Sequence, residues 1–302
     1  MWRATLAASA ALLTLAMSAT PAAAQAWVPG AGYGSVTFTT QAIDHLGHIL
    51  NDGTLIADGK STTIALDLAA DYALTDRLSF SVDVPYVFAK YRGPGPSPPF
   101  VPFLPVDSCF CFHSGLQDLT ITTRYNLINR RRGFALTPSM SVGLPSRDYD
   151  HVGEAVVGRD LKELRIAVDA GQRFSALSGR LSLQGRYSYA FVERVLSIPN
   201  NRSNGSIEGR IAMTRRLSIS GLVTWQRTHG GLRFPDDVVV STERILEHDR
   251  LLRDNSLRMG GGASYSWGQW NVSASLVGYT HGSNTHALRA ITVDIGRAFQ
   301  KD

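Results

Sequence analysis

The amino-acid sequence predicts an all-β fold: a single antiparallel transmembrane β-barrel of about 12 strands, of the outer-membrane type. Apolar and polar residues alternate through most of the chain, as expected of strands with lipid on one face and a lumen on the other. The segments between the alternating runs are short and long in turn, and aromatic residues flank the short ones. These three patterns together are typical of outer-membrane barrels.

The N-terminal residues have the pattern of a secretory signal peptide. Arg3 provides a positive charge, an apolar run follows it, and an Ala-x-Ala cleavage site precedes Gln25. We therefore expect residues 1–24 to be a signal peptide and residues 25–302 to form the barrel. An N-terminal membrane anchor is the alternative, but the apolar run is short for one. No later stretch has the ~18 consecutive apolar residues of a transmembrane helix.

The bulk composition does not distinguish a barrel from a soluble protein. The chain is 44% hydrophobic with a mean hydropathy of −0.05, and alternating barrel strands give averages of this kind. The net charge of +5 does not indicate a nucleic-acid partner for a secreted chain, because part of the basic excess lies in short turns. The two cysteines are too few for a disulfide framework.

The predicted strands follow one another with a period of two. Ile64, Leu66 and Leu68 alternate with small or acidic residues, and the run from Phe80 to Phe88 continues the pattern after the sequence LTDR. Runs of about 10 residues are long enough to cross a bilayer when tilted. Comparable runs lie near 32–40, 119–127, 134–144, 164–174, 181–191, 207–213, 217–225, 257–265, 270–276 and 287–299.

The connections alternate in length. Short periplasmic turns and long external loops are the rhythm of outer-membrane barrels, and a β-sandwich has no reason to keep it. The short connections lie near 74–77, 128–133, 175–179, 214–216 and 268–269. The long ones lie near 41–60, 89–115, 145–162, 192–204 and 228–254, with a shorter one near 280–286. Aromatic residues beside the short turns predict an interfacial girdle of Tyr72, Phe80, Tyr125, Phe134, Phe174, Trp267 and Trp270.

The C-terminal sequence ITVDIGRAF, residues 291–299, is expected to be the closing strand of the barrel. Ile291, Val293, Ile295 and Phe299 share the lipid-facing parity. This pattern resembles the C-terminal signal that the outer-membrane assembly machinery binds, although three residues follow Phe299 here. Arg297 has the same parity, and we expect its charge to extend to the interface.

Three stretches resemble the outer-membrane proteins of the meta-pathway phenol-degradation-like family. They are YALTDRLSFSVDVPYV at 72–87, GLQDLTITTRYNL at 115–127 and GLPS at 143–146. The resemblance spans most of the mature chain and implies a barrel that moves aromatic or other hydrophobic compounds. Because these motifs are structural, the resemblance assigns no binding residues.

Charged residues of the other parity are expected to line the channel. Their signs balance, which predicts weak ion selectivity. Two interpretations of these charges remain open: ion pairs that brace the barrel from inside, or a polar constriction. The expected channel-lining residues are Asp67, Asp83, Asp118, Arg124, Arg165, Asp169, Arg173, Arg186, Glu208, Arg210 and Arg258.

The long loop at 89–115 is unusual because it combines proline with apolar residues in the sequence GPGPSPPFVPFLPV. External loops are mostly polar, so apolar content in a stiff loop calls for an explanation. We predict that Phe100, Phe103 and Leu104 form a hydrophobic mouth of the barrel. The alternative is that a long loop packs on itself.

Two motifs have residues that could carry chemistry. HGSN at 281–284 resembles the motif of outer-membrane phospholipase A and lipid A deacylases, in which a histidine activates a serine on the same strand face. The alternation places His281 and Ser283 on the lumen side, away from lipid acyl chains, which favours a loop turn instead. Cys109, Cys111 and His113 alternate as potential soft metal ligands without a visible fourth ligand, which favours a thiol pair, free or bridged. All eight histidines fall within the predicted external loops.

The sequence thus predicts a channel in the outer membrane of a Gram-negative bacterium, for passive passage of small hydrophobic or aromatic compounds, and not an enzyme. The expected partners are outer-membrane lipid and lipopolysaccharide, the assembly machinery and a small hydrophobic solute. We expect no nucleic-acid partner, no metal and no cofactor. The alternatives are a lipid acyl hydrolase that uses His281 and Ser283, and a structural barrel without a pore.

Overall fold

A computed structural model describes residues 26–57, 59–93, 110–130, 133–147, 149, 155–174, 180–238 and 240–300. Twelve long antiparallel strands form a closed barrel, as the sequence predicts. They are β1 (Tyr33–Ile49), β3 (Lys60–Ala73), β4 (Leu78–Arg92), β6 (Leu119–Tyr125), β8 (Phe134–Leu144), β9 (Glu163–Phe174), β10 (Leu181–Val192), β11 (Asn200–Ala212), β12 (Leu217–Gly230), β13 (Asn255–Trp267), β14 (Trp270–Ser283) and β15 (Thr285–Gln300). Short elements between them are β2 (Leu55–Ile56), β5 (His113–Leu116), β7 (Ile128–Asn129), α1 (Thr242–Leu246) and α2 (His248–Leu251).

The barrel closes where the first strand meets the last. β1 and β15 pair in antiparallel register along their length, which confirms the expected closing strand. On the lumen side Thr39 donates a hydrogen bond to Asp294 at 2.8 Å, and Gln41 donates one to Thr292 at 2.8 Å. Closure leaves no unpaired sheet edge, which is the condition for strands to cross a bilayer.

Apolar side chains cover the outer face of the barrel. Leu68, Ile121 and Ile291 are each about half exposed, and comparable residues recur on every long strand. A surface of this kind is unfavourable in water and matches the lipid-facing band of an outer-membrane barrel. No helix in the described ranges is long and apolar enough to cross a membrane.

Short turns join the strands at one end of the barrel, here called the turn end, and longer segments join them at the loop end. Two of the turns share a threonine that accepts backbone N–H groups: Thr75 accepts from Arg77 and Leu78, and Thr214 accepts in the same way in its own turn. The predicted aromatic girdle is confirmed, because its seven residues lie exposed on the outer face at this end. Arg297 stacks its guanidinium over Trp270 at 5.5 Å.

The wall of the barrel is uneven in height. β1 has 17 residues and β15 has 16, whereas β8 has 11 on the far side. The long strands extend into segments that the sequence predicts as loops near 41–60 and 280–286, whereas the loop predicted near 228–254 begins only three residues later, after Gly230. The predictions were wrong for residues 41–49 and for 280–286 because polar residues occupy these strand ends, where the outer face no longer needs to be apolar for contact with lipid.

Candidate functional site

The candidate site is the barrel lumen, which is lined mostly by polar and small side chains. The predicted charged residues all have the lumen-facing parity, and Asp118 lies in the short break between β5 and β6. On the lumen face the charged positions are Asp67, Asp83, Asp118, Arg124, Arg165, Asp169, Arg173, Arg186, Glu208, Arg210 and Arg258. Whether these residues line a conducting path stays a prediction.

Several of these charges form ion pairs along the lumen wall, within one strand or between strands up to two positions apart in the sheet. Arg124 donates to Asp71 at 2.8 Å, and Arg186 lies 3.2 Å from Asp169. Glu163 accepts from Arg165 on its own strand and from Arg202 on β11, and the second contact joins β9 to β11. Arg210 pairs with Glu208 at 2.9 Å within β11. Part of the lumen charge therefore braces the wall, in agreement with the first of the two interpretations.

The lumen charges as a whole, paired and unpaired, are segregated by sign around the barrel. Strands β15, β1, β3 and β4, which are neighbours in the sheet, carry four acidic residues and no lysine or arginine on their lumen face. The opposite wall, β6 to β13, carries seven arginines there, and its acidic residues Glu163, Asp169 and Glu208 are each paired with one of them. The acidic wall consists of Asp67, Asp71, Asp83 and Asp294. The basic wall consists of Arg124, Arg165, Arg173, Arg186, Arg202, Arg210 and Arg258.

A cavity of about 130 Å³ lies in the lumen, against both walls. Four guanidinium groups and the Asp83 carboxylate line it, together with hydroxyl and amide side chains. Within the described part of the chain, Nε of Arg124 and Nε2 of Gln226 are buried here without a hydrogen-bond acceptor. The four arginines that line the cavity are Arg124, Arg165, Arg186 and Arg258.

The segment before β1 folds into the turn end of the lumen. The carbonyl of Ala26 accepts hydrogen bonds from Asn126 at 3.1 Å and from Thr137 at 2.8 Å. Ala26 and Val28 are buried, and Asn129 donates to the Val28 carbonyl at 3.0 Å. The segment thus reaches from β1 to strands β6 and β8 and covers part of the opening.

Trp27 fixes this segment to the basic wall. The guanidinium of Arg173 lies 4.6 Å from its ring centroid, and its indole N–H donates to the Arg130 carbonyl. The ring lies against Gly171, where a Cβ atom would be 2.5 Å from the indole. A cation over an aromatic face is attracted by the ring quadrupole. Gly171 therefore leaves the space that the Trp27 ring occupies, and the cation–π contact with Arg173 fixes the ring in that position.

The segment between β12 and β13 covers part of the loop end. Leu232, Val238 and Leu251 form a buried cluster in it. Phe234 N–H donates to Asn284 at 2.8 Å, and the Phe234 carbonyl accepts from the Asn51 N–H at 3.2 Å. This segment is here called the cap (residues 231–254). These bonds attach it to the loop end of the barrel, beside the pairing of β1 with β15.

Three histidines lie together beneath the cap. The ring of His286 is 5.3 Å from that of His45 and 4.6 Å from that of His48, between centroids. Phe234 of the cap lies 4.8 Å from His48. His45 is buried, and neither of its ring nitrogens has a hydrogen-bond partner among the described residues. No three His, Cys, Asp or Glu side chains in those residues are arranged to hold a metal ion.

This histidine cluster was missed because the sequence predicts loops at its positions. A β-bulge between His45 and Gly47 adds one residue to β1. The extra residue, Leu46, turns outward, so His45 and His48 face the lumen although they are three positions apart. The sequence predicts all the histidines in loops. Among the described histidines, however, only His248, in α2, lies outside a strand. His151 lies outside the described residues.

A second segment, before β9, packs under the cap. Tyr149 donates to Asp118 at 2.5 Å, and burial beside this carboxylate raises the pKa of the tyrosine. Arg159 is buried, and burial, with the neighbouring Arg202 adding to it, lowers its pKa to about 9. Arg250 of the cap donates to the Asp160 carbonyl at 2.6 Å. The loop end is thus held by polar contacts between distant parts of the chain.

The HGSN motif lies on the other face from the one predicted. A bulge opposite Leu257 and Arg258 shifts the register, so that His281 pairs with Leu257 on the outer face and Ser283 pairs with Asn255. The alternation fails here because one added residue reverses the parity. No hydrogen bond joins His281 to Ser283 within the described chain. A serine without a base in contact is a weak nucleophile.

The remaining predicted sites lie at the edge of the described chain or beyond it. Cys111 is in a disulfide bond, so its sulfur is not a thiolate ligand. Cys109 and the predicted mouth residues Phe100, Phe103 and Leu104 lie outside the described residues. The predicted signal peptide lies outside them as well.

Solved structures with the same fold are outer-membrane barrels. The chain is similar to the COG4313 outer membrane channel from Pseudomonas putida F1, with a TM-score of 0.70 and 13% identity, over 91% of this chain and 98% of that one. The translocator domain of the autotransporter NalP from Neisseria meningitidis gives 0.49 at 11% identity, over 90% of each chain. The CymD monoaromatic hydrocarbon channel gives 0.47 at 10% identity, also over 90% of each.

At these identities the similarity establishes the barrel fold alone, and the last two scores carry no argument. No protein-family model matches the chain, and no curated protein sequence matches it.

Proposed function

We propose that this protein is an outer-membrane channel of a Gram-negative bacterium, for passive passage of small hydrophobic or aromatic compounds. The observation that carries the proposal is an internal polar cavity in a closed barrel whose outer face is apolar. A barrel that served only as structure would gain more stability from a packed lumen. The resemblance to the phenol-degradation-like family and the similarity to an outer-membrane channel support the same function.

The segment at the turn end provides the test of conduction. We expect purified protein to conduct ions weakly in planar bilayers, because residues 26–28 cover part of the opening. A variant that lacks residues 25–30, refolded in vitro so that signal-peptide cleavage is not involved, should conduct more. Absence of conductance in both proteins, with heat-modifiable migration of each on SDS gels, would show that the barrel is not a channel.

The choice of solute is tested in cells. Deletion of residues 94–106 should slow uptake of a monoaromatic compound more than it changes ion conductance, because this deletion removes the predicted apolar mouth. Unchanged uptake at normal protein levels would show that this loop only packs on itself.

The same preparations separate a channel from a lipid hydrolase. We expect no release of fatty acid from phospholipid vesicles that contain the protein, since no hydrogen bond joins His281 to Ser283 among the described residues. Release that is lost in Ser283→Ala, with conductance unchanged, would instead establish the enzyme.

A further inference from the structure

The cavity in the lumen presents far more positive than negative groups. Four arginines line it, and Asp83 is the one carboxylate among its lining residues. The acidic residues that pair with these arginines do not line the cavity: Asp71 and Asp169 contact Arg124 and Arg186 from outside its lining. The surface facing the cavity is therefore rich in guanidinium donors, although the nearby charges largely balance.

The acidic partners hold the arginines in place. A guanidinium has five N–H donors in a rigid plane, and a single carboxylate contact uses only part of them. Arg124 donates through one terminal nitrogen to Asp71, and Arg186 does the same toward Asp169, which is buried. An arginine fixed in this way loses little conformational freedom when it binds a ligand.

Buried donors at the cavity include atoms that lack an acceptor. Nε of Arg124 on β6 and Nε2 of Gln226 on β12 are buried and make no hydrogen bond within the described chain. Burial of a donor without an acceptor is unfavourable, so these donors call for an acceptor in the cavity, either water or a ligand. Oδ1 of Asp83 in the same lining lacks a hydrogen-bond donor, but the four arginines outnumber this carboxylate. A carboxylate has two oxygens that accept several hydrogen bonds, whereas an alcohol has a single oxygen to offer.

The size of the cavity sets the size of this ligand. Its volume of about 130 Å³ is close to the roughly 150 Å³ of a protein cavity that binds benzene. We propose that the cavity is a binding site for a carboxylate anion of single-ring size. A role of this site in transport rests on the proposed channel function. The site specifies that function further, because it names aromatic carboxylates as the class of solute.

Direct binding tests the site separately from conduction. We would titrate the purified full-length barrel in detergent with benzoate, with benzyl alcohol as the neutral ligand of similar shape, and with inorganic phosphate as an anion without a ring. Benzoate should bind roughly tenfold more tightly than benzyl alcohol, the ratio expected when one charge-assisted hydrogen bond is lost. Equal affinity for benzoate and benzyl alcohol, or for benzoate and phosphate, would overturn the proposal.

A matched pair of variants locates the site. Arg124→Gln and Arg210→Gln each remove a lumen arginine that is paired with a carboxylate, but only Arg124 lines the cavity. Benzoate affinity should fall roughly tenfold in Arg124→Gln and stay unchanged in Arg210→Gln. Gln226→Leu, which removes a donor and no charge, should weaken benzoate without weakening benzyl alcohol. Equal losses in both arginine variants would contradict the assignment.

Failure of this proposal and failure of the channel are distinguishable. A barrel that conducts ions but binds benzoate no better than benzyl alcohol is a channel without the anion site. A barrel that binds benzoate as described but does not conduct retains the site and loses the transport role. The comparison of ligands on the unmodified protein needs no variant, so a variant that fails to fold does not remove the test.

Discussion

The two ends of the barrel are built in different ways. The turns at the turn end are formed by residues close in sequence: a threonine accepts the N–H groups two and three positions later, and aromatic side chains stand beside most of the turns. At the loop end, residues far apart in sequence meet, as Asn284 does with Phe234 and with Asn51. The turns are therefore specified locally, whereas the cap is specified by tertiary contacts.

This difference explains which parts of a barrel can be predicted from the sequence. A turn needs only a few residues of a particular type, and these leave a visible pattern. A cap needs many contacts that no short pattern encodes, and its stability comes from packing. The two ends should therefore respond differently to substitution, and the cap should open without loss of the barrel.

The largest effect is expected at the centre of the cap. Leu251→Ala should destabilise the cap by about 2–5 kcal/mol, because a fully buried leucine is removed from its cluster with Leu232 and Val238. Limited trypsin digestion should then cleave the cap much faster. Val240→Ala is the control, since Val240 is 62% exposed in the same segment. Loss of heat-modifiable migration in Leu251→Ala would show that cap and barrel are one cooperative unit.

The turn end should be most sensitive at its closing pair. The ring of Phe299 lies across Gly34 on β1, where a Cβ atom would be 2.3 Å from it. Phe299→Ala removes this contact and alters the expected assembly signal, so the level of protein in the outer membrane should fall severalfold. Leu55→Ala, an exposed residue at the loop end, is the control. Equal levels of the two variants, with secretion across the inner membrane intact, would contradict the prediction.

A smaller effect is expected in the turns themselves. Thr75→Ala should lower the free energy of unfolding by about 1 kcal/mol, as the loss of a capping hydroxyl does in helices. Thr214→Ala should do the same, because the two turns make the same hydrogen bonds. Thr75→Ser keeps the hydroxyl and should retain the stability in urea unfolding. A loss in Thr75→Ser as large as in Thr75→Ala would assign the effect to the methyl group.

The smallest effect concerns an ion pair on the surface of the cap. Hydrogen bonds from Arg233 lower the pKa of Asp237 to about 2. A lowered pKa in the folded state gives a contribution to stability that is present above the ordinary value of 3.8 and is lost as the pH falls toward 2. Exposed pairs contribute little, so the change in cap protection should be small. Pepsin digestion between these pH values should show it in the unmodified protein but not in Asp237→Asn.

The sequence was sufficient for the wall of the barrel. Alternation located the strands and the outward parity of Ile291, Val293 and Ile295, because contact with lipid on one face imposes a strict period of two. The same rule placed the lumen charges on the correct face. It could not show that their signs are segregated, because this depends on which strands are neighbours around a closed sheet.

Alternation failed wherever a strand gained a residue. The bulges beside His45 and opposite Leu257 each reverse the parity of the residues beyond them on the same strand. The sequence carries only weak signals of them, such as Gly47, whose positive φ of 152° favours glycine. The histidine cluster and the orientation of the HGSN motif could therefore not be predicted from the sequence, since both depend on strand register rather than on composition.

The uneven height of the wall determines the side from which a molecule reaches the loop end. β1 exceeds β8 by six residues, or about 20 Å along the strand at about 3.3 Å per residue. The tall side carries the acidic wall and projects furthest above the apolar belt, whereas the low side carries the arginines. Under the proposed channel function, we therefore expect an anion to enter the lumen along the shorter, arginine-bearing strands rather than along the longer, acidic ones.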